Sequence, residues 1–285
     1  MRDLNLKHKY RMRKSGSGLI IFVGAFIIFS PSFVAAIQSE VAAKSLYGPQ
    51  CCKNPPILNP NSGAGHVEVI GGLKSYVSGS SHSTHAVILI SDIFGYEAPN
   101  LRKIADKVAG AGYLAVVPDF FHGEPYNPQN PERPKPVWLK DHGTDKGYEE
   151  AKPVIESLKR RGICKIGAAG FCWGGKVAVQ LAQGDQYVQA TVLLHPSNIT
   201  VDDIKGVKVP IAILEAELDH AASPALMKQF KEALNAKPQV DGYVKIFPGV
   251  AHGWTLRYNP EDKAAVKSAE EAHQDMLTWF QKYIN

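Results

Sequence analysis

The sequence predicts an α/β fold, a mostly parallel sheet with helices on both faces, and three observations carry that expectation. Short runs rich in Val, Ile, Leu and Ala recur from Ala86 onward, separated by stretches with helical spacing. Near-continuous apolar runs mark strands buried on both faces, as in parallel sheets covered by helices. One run, residues 164–169, leads into Gly170-Phe171-Cys172-Trp173-Gly174-Gly175 and then into a helix-like stretch from Lys176. Two others lead to a carboxylate, Asp219, and to a loop histidine, His252. Open α/β sheets place their sites beyond strand ends in this way.

The elements follow in order. A hairpin is expected over residues 66–77, with Gly71-Gly72 at its turn. Residues 86–91 form a buried strand. Leu101, Ile104, Ala105 and Val108 share one face of a helix over 99–111. A strand is expected at 113–118. Residues 122–145 are rich in Pro, Gly and Asn and show little periodicity. They are predicted to be a long loop, and a loop of that length in a compact domain usually has a function, here a cap or substrate access. A helix is expected over 149–161, then the Cys172 turn and its helix. Strands at 189–195 and 209–219 follow, then a helix at 224–234. A strand at 244–247 leads through Pro248-Gly249 to His252, and an amphipathic helix over 261–283 closes the chain. There is no internal repeat.

The pattern G-x-C-x-G-G between strand and helix has a physical reading. The apex residue, Cys172, sits in a strained conformation, and small neighbours such as Gly170 and Gly174 let strand and helix pass closely. The N-terminus of the following helix offers free N–H groups and a positive dipole end, which favour a thiolate and a developing oxyanion. A nucleophile needs a base, and the base an orienter. Taken singly, each residue has a bland reading: a buried cysteine is usually inert, an Asp after a strand caps a loop, and a His before Gly fills a turn. In the order nucleophile, acid, histidine, Cys172, Asp219 and His252 become a candidate triad. Phe94, Trp173 and Trp254 stand beside these positions and are read as pocket walls or as core. His122 and His195 follow strand ends and are read as pocket or loop residues.

These motifs, with Ile90-Ser91-Asp92-Ile93-Phe94-Gly95, Glu217-Leu218-Asp219 and Ala251-His252-Gly253, resemble the dienelactone hydrolase family, carboxymethylenebutenolidase-like members of the α/β-hydrolase superfamily, and more closely its plant-type members. The resemblance runs from about residue 63 to the C-terminus. It implies the α/β-hydrolase fold and a hydrolase of small esters or lactones that works through a thioester, with no metal and no organic cofactor. It implies that the N–H groups of Ile93 and Trp173 form the oxyanion hole. Asp92 stands where the resemblance places a Glu that holds the resting thiol and helps to switch on the nucleophile, so the side chain is one methylene shorter. Arg257 is the nearest match to an arginine that binds a substrate carboxylate, and no second one is evident. Two other readings stay open. Some plant relatives carry an endo-1,3;1,4-β-glucanase name, and sugar hydrolysis needs two carboxyls facing one bond, for which Asp92 and Glu217 are candidates by position alone. The third reading is a non-catalytic ligand-binding protein on the same scaffold.

The 285 residues exceed the ~220–250 of one such domain, and the excess is N-terminal. Residues 1–36 read as a signal peptide or signal anchor, 37–62 as a connector and 63–285 as the domain. The first segment carries six basic residues and one acid, which accounts for the whole net charge of +5. The remainder is neutral, so no nucleic-acid surface is expected. An unbroken apolar run over 18–29 suits a signal-peptide core and is short for a membrane span of ~20 residues. Val34 and Ala36 occupy positions that a signal peptidase reads. Uncleaved, residues 19–37 would act as a membrane anchor. Either way the expectation is the secretory pathway, with the domain secreted, vacuolar or membrane-anchored, a monomer, and a small-molecule substrate as its partner. Cys51 and Cys52 are read as a disulfide to Cys164 or to another chain, as a metal or lipid site, or as plain surface thiols. Asn198-Ile199-Thr200 is a glycosylation sequon should the domain enter the lumen.

Overall fold

The computed structural model describes residues 49–285, so the expected signal peptide or anchor and most of the connector lie outside the described residues. The apolar runs become β1 (His66–Ile70), β2 (Leu73–Ser78), β3 (His85–Ile90), β4 (Leu114–Pro118), β5 (Lys165–Phe171), β6 (Ala190–Leu194), β7 (Ile211–Ala216) and β8 (Gly242–Phe247). Between them run helices α1 (Pro99–Gly110), α2 (Lys135–Asp141), α3 (Thr144–Arg160), α4 (Trp173–Ala182), α5 (Val201–Gly206), α6 (Pro224–Asn235) and α7 (Lys263–Tyr283). The strands form one sheet in the order β1-β2-β4-β3-β5-β6-β7-β8. From β4 to β8 the pairing is parallel, and β1 and β2 add an antiparallel edge.

The alternation of side chains along each strand divides the core into two layers. Ile213 and Leu193 face a layer with Leu158 of α3, Val177 of α4 and Phe230 of α6. Leu214 and Val192 face the other, with Leu101 of α1 and Met276 and Phe280 of α7. Both faces are therefore covered, the condition under which parallel strands are stable. Small residues in β5 let the helices approach closely. A Cβ on Gly167 would stand 2.6 Å from the Phe280 ring, and one on Gly170 would collide with the Gly174 carbonyl of α4.

The structure corrects the expected loop at 122–145. Pro134 caps α2 and Pro136 lies in its first turn, where a missing N–H costs nothing. Its Trp138 is buried against Phe121 and His142 and donates from Nε1 to the Glu124 carbonyl at 2.8 Å. Helix α3 starts at Thr144, earlier than expected, and continues through Pro153. The short α5 was not expected. It rests on a capping box between Thr200 and Asp203 and buries only Ile204, too little for a periodic signal.

The described part of the connector is folded onto the body. Gln50 donates from Nε2 to the Leu218 carbonyl at 2.9 Å and accepts from the His220 N–H at 3.0 Å. Arg102 donates to the carbonyls of Pro60 and Ser62. Cys52 and Cys164 are free thiols, so of the readings open for Cys51 and Cys52 the bridge to Cys164 is not formed in this structure. Among the described residues no helix is long and apolar enough to cross a membrane.

Candidate active site

Cys172 occupies the turn between β5 and α4 with φ 51° and ψ −109°, a left-handed conformation that a side chain adopts only when its surroundings enforce it. The enforcement is visible. Its N–H donates to the Leu194 carbonyl of β6 at 3.2 Å, and its carbonyl accepts from Gly175 at 3.1 Å and Ser197 at 3.0 Å. Gly174 donates to the Ser91 carbonyl at 3.2 Å, and a Cβ there would collide with the Ile90 carbonyl. The turn is thus gripped by the ends of β3 and β6, and the thiol lies fully buried 3.5 Å from the Ser197 hydroxyl.

His252 lies in the loop after β8, and Asp219 in the loop after β7. His252 donates from Nδ1 to Asp219 Oδ2 at 2.5 Å. The other Asp219 oxygen accepts from the Ala221 N–H at 2.7 Å. Nδ1 being taken, Nε2 is the nitrogen left to serve Cys172, whose charge acts on the buried imidazole. Burial works against a charged imidazole, but the Cys172 thiolate and the Asp219 carboxylate outweigh it and raise the His252 pKa to about 10. Burial likewise opposes charge on Asp219, yet the hydrogen bond and the charge of His252, with the Ala221 N–H, hold its carboxyl below the usual range. The arrangement therefore favours a thiolate–imidazolium pair backed by a carboxylate.

The structure brings two other expected site residues together. Asp92, in the loop after β3, forms a buried ion pair with Arg257. Its Oδ1 also accepts from the Phe94 N–H at 3.0 Å. Burial raises the Asp92 carboxyl most, Arg257 opposes this, and the Cys172 thiolate adds to the rise. Arg257 also donates to the His252 carbonyl and stands 5.5 Å from the Phe94 ring centre. The candidate switch and the candidate substrate arginine thus neutralise each other beneath Phe94. The Ile93 and Trp173 N–H groups, expected as oxyanion donors, give no hydrogen bond to a protein group among the described residues.

The remaining expected residues divide. Trp254 packs on His195 and Phe247 and borders a cavity of about 380 Å³ with His252, Arg257, Gln50 and Lys53. Phe94 borders a neighbouring cavity of about 430 Å³ with Pro55, Leu58 and Tyr126. The Trp173 side chain is core: it packs edge-to-face with Phe121 and donates to the His142 carbonyl at 2.9 Å. His122 pairs with Glu150 at the surface. His195 is buried with its ring 5.1 Å from that of His252 and its Nε2 2.8 Å from the Thr255 hydroxyl. Burial, followed by the neighbouring His252 charge, pushes its pKa well below the ordinary value, so it stays neutral. Sequence reasoning missed Ser197, Gln50 and Glu215. Only Glu215 left a signal, a carboxylate inside the otherwise apolar run of β7. Among the described residues no group of three or more His, Cys, Asp or Glu could hold a metal ion.

Comparison with known proteins places this chain among relatives. The model of the dienelactone hydrolase family matches residues 73–284. An endo-1,3;1,4-beta-D-glucanase of Zea mays is 40% identical over 214 residues, covering 73% of this chain and 69% of that protein. A carboxymethylenebutenolidase homolog of Xenopus tropicalis is 38% identical over 220 residues, covering 75% and 88%. Among solved structures, a dienelactone hydrolase-like promiscuous phosphotriesterase from metagenomic libraries aligns with a TM-score of 0.59 at 15% identity, covering 76% of this chain and 96% of that one. Esterase 2 of Thermogutta terrifontis aligns with a TM-score of 0.55 at 16% identity, covering 79% and 97%. At those identities the solved structures speak for the fold.

Proposed function

Because this chain belongs to the dienelactone hydrolase family, we propose that it cleaves small ester or lactone substrates through Cys172, His252 and Asp219 by way of a thioester. The observation that supports this most is the placement of His252, hydrogen-bonded through Nδ1 to Asp219 and buried where the charge of Cys172 acts on its imidazole.

The Cys172 thiolate attacks the substrate carbonyl, and the N–H groups of Ile93 and Trp173 take the charge that develops on its oxygen. Losing one such donor typically costs about 10²–10³ in rate. As the tetrahedral intermediate collapses, the C–O bond breaks and the His252 imidazolium protonates the departing alkoxide. In a lactone the alcohol stays attached to the acyl chain. Neutral His252 then takes a proton from water, and the resulting hydroxide attacks the thioester. Collapse of the second intermediate expels the thiolate beside a recharged His252 and leaves a carboxylic acid. Asp219 holds the ring and offsets its charge throughout. A thiolate is itself a good leaving group, so amides are poorer substrates than activated esters or enol-lactones.

The maize relative's name favours a second reading, glucan hydrolysis. Two carboxyl groups about 5–9.5 Å apart across an open cleft are required for that chemistry. Here Asp219 is engaged by His252, Asp92 by Arg257, and Glu217 accepts from the Gly249 N–H at 2.8 Å. These engagements favour the thiol reading. Hydrolysis of p-nitrophenyl acetate, a dienelactone and a mixed-linkage glucan by the chain, beside Cys172→Ala and His252→Ala, separates the two. Ester or lactone turnover lost in both variants is expected. Glucan turnover retained by Cys172→Ala would instead establish the second reading. The basic and apolar leader supports, as part of this proposal, action within or beyond the secretory pathway.

A further inference from the structure

Ser197 lies in the loop between β6 and α5, and its buried hydroxyl stands 3.5 Å from the Cys172 sulfur. Among the described residues that hydroxyl has no other hydrogen-bond partner. The loop is held in place from several directions. The Ser197 N–H donates to the Cys172 carbonyl at 3.0 Å, and the His195 N–H donates to the Leu214 carbonyl of β7 at 2.9 Å. Pro196 packs against the start of α4, where a Cβ on Gly175 would stand 2.6 Å from Pro196 Cβ. Lys176 of α4 pairs with Asp203 of α5 at 2.6 Å, so the helix after the loop is tied to the helix after the nucleophile. On either side of Pro196 and Ser197, His195 (φ 39°) and Asn198 (φ 59°) take left-handed backbone. Residues other than glycine adopt it at a cost, and only where their surroundings enforce it. The loop is therefore fixed in one conformation, and what that conformation presents to the nucleophile is a hydroxyl.

A hydroxyl has one proton to donate, and an ionised thiol can only accept. Between Ser197 and the Cys172 thiolate the direction is thus set: Oγ donates and Sγ accepts. We propose that Ser197 is a positioning residue for the nucleophile: its hydroxyl stabilises the Cys172 thiolate and holds the sulfur in one orientation. A buried anion without a donor is costly, and Cys172 has no exposed surface. The charges that reach the thiol differ in sign. His252, from the loop after β8 and backed by Asp219, favours the thiolate. Asp92, from the loop after β3, opposes it, and Arg257 offsets Asp92. His195, from the loop of Ser197 itself, stays neutral. The N-terminus of α4 adds its dipole. Ser197 adds a donor to this set without adding a charge, so nothing is left uncompensated when acylation removes the charge of the sulfur.

The inference rests on the triad reading, and its test separates the two. Alkylation of Cys172 by iodoacetamide, followed across pH by peptide mass spectrometry, reads the thiolate without any hydrolysis. For Ser197→Ala the alkylation midpoint is expected to rise by about one to two pH units, the worth of a hydrogen bond to a charged group. Above that midpoint its rate is expected to be at least the parent's, because a thiolate that has lost its donor is the stronger nucleophile. The acid limb of kcat/KM for p-nitrophenyl acetate is expected to move with the midpoint, a loss of roughly tenfold or more below the parent's midpoint. Ser197→Thr keeps the hydroxyl and is expected to keep the parent's midpoint. An Ala variant with the parent's midpoint or a lower one would overturn the proposal whatever its kcat/KM, since a slower enzyme with an unmoved midpoint marks a purely structural serine. So would a Thr variant shifted as far as Ala. Should the Ala variant not fold, the Thr variant alone decides, because it retains the donor. Hydrolysis unaffected by Cys172→Ala would defeat the triad reading while the alkylation midpoint still reports on Ser197.

Discussion

His252 carries a charge because of what faces it, and this gives the site its pH dependence. Its folded pKa of about 10 lies above the ordinary 6.5. Stability from its charge is therefore complete below about 6.5 and is lost as pH rises through about 10. Asp219 has the opposite sense: its folded carboxyl is lowered, so its contribution is present above the ordinary 3.8 and is lost as pH falls through the folded value. The expected kcat/KM profile for an activated ester thus declines on the alkaline side only near pH 10, where His252 ceases to be an acid. A decline near pH 6.5–7 would show a histidine unlinked to the thiolate. At this scale the sequence was legible wherever a spacing or a strand end marked a residue, as with Cys172, Asp219 and His252. Ser197 and Gln50 have no such mark, since each acts through contacts with a segment distant in sequence. Asp92 and Arg257 were each legible as site residues, but 165 positions separate them and nothing local announces that they pair.

The elements that hold these residues owe their closeness to absent side chains and to one buried ion pair. Gly174 places α4 against the end of β3, and any Cβ there meets the Ile90 carbonyl, a backbone atom that cannot swing aside. Gly174→Ala is expected to destabilise by about 1–3 kcal/mol, as overpacking of a core does, and to depress activity further by tilting the turn that carries Cys172. Urea unfolding followed by circular dichroism measures the first effect. The Asp92–Arg257 pair ties the loop after β3 to the loop that carries His252. Removing one partner of a buried pair typically costs about 3–5 kcal/mol, whereas replacing both can be near neutral. Arg257→Met is therefore expected to unfold at lower urea concentration than the parent, and Asp92→Leu/Arg257→Met to recover part of the loss. No recovery in the double variant would show that the pair does not carry this link. The glycine-rich turn and the long strands were evident from composition. Helices α2 and α5 were not, because Trp138 in one and Ile204 in the other are each the sole buried residue of a short helix, and one residue makes no period.

Across the whole molecule, the strand order brings the ends of β3, β5, β6, β7 and β8 side by side, and the site is assembled from the loops beyond them. That architecture was legible in the alternation of apolar runs and helical faces. What the alternation did not convey is that residues 50–58 return to the site, because their Pro and Asn content reads equally as a tether or as a wall. Gln50 holds both Leu218 and His220, the neighbours of Asp219, and the segment borders both cavities beside Phe94 and His252. Gln50→Ala is expected to lower kcat/KM by about three- to tenfold, the worth of one or two neutral hydrogen bonds, with the urea midpoint nearly unchanged. An unchanged kcat/KM would return the segment to the role of a tether. The central claim is that Cys172 is acylated during turnover. Rapid acid quenching of the chain with p-nitrophenyl acetate, followed by peptide mass spectrometry, tests it directly. The account predicts an acetyl group on the peptide bearing Cys172, formed within the first turnover and gone on prolonged incubation. Undiminished turnover with no acyl group on Cys172, or with the acyl group elsewhere, would contradict it.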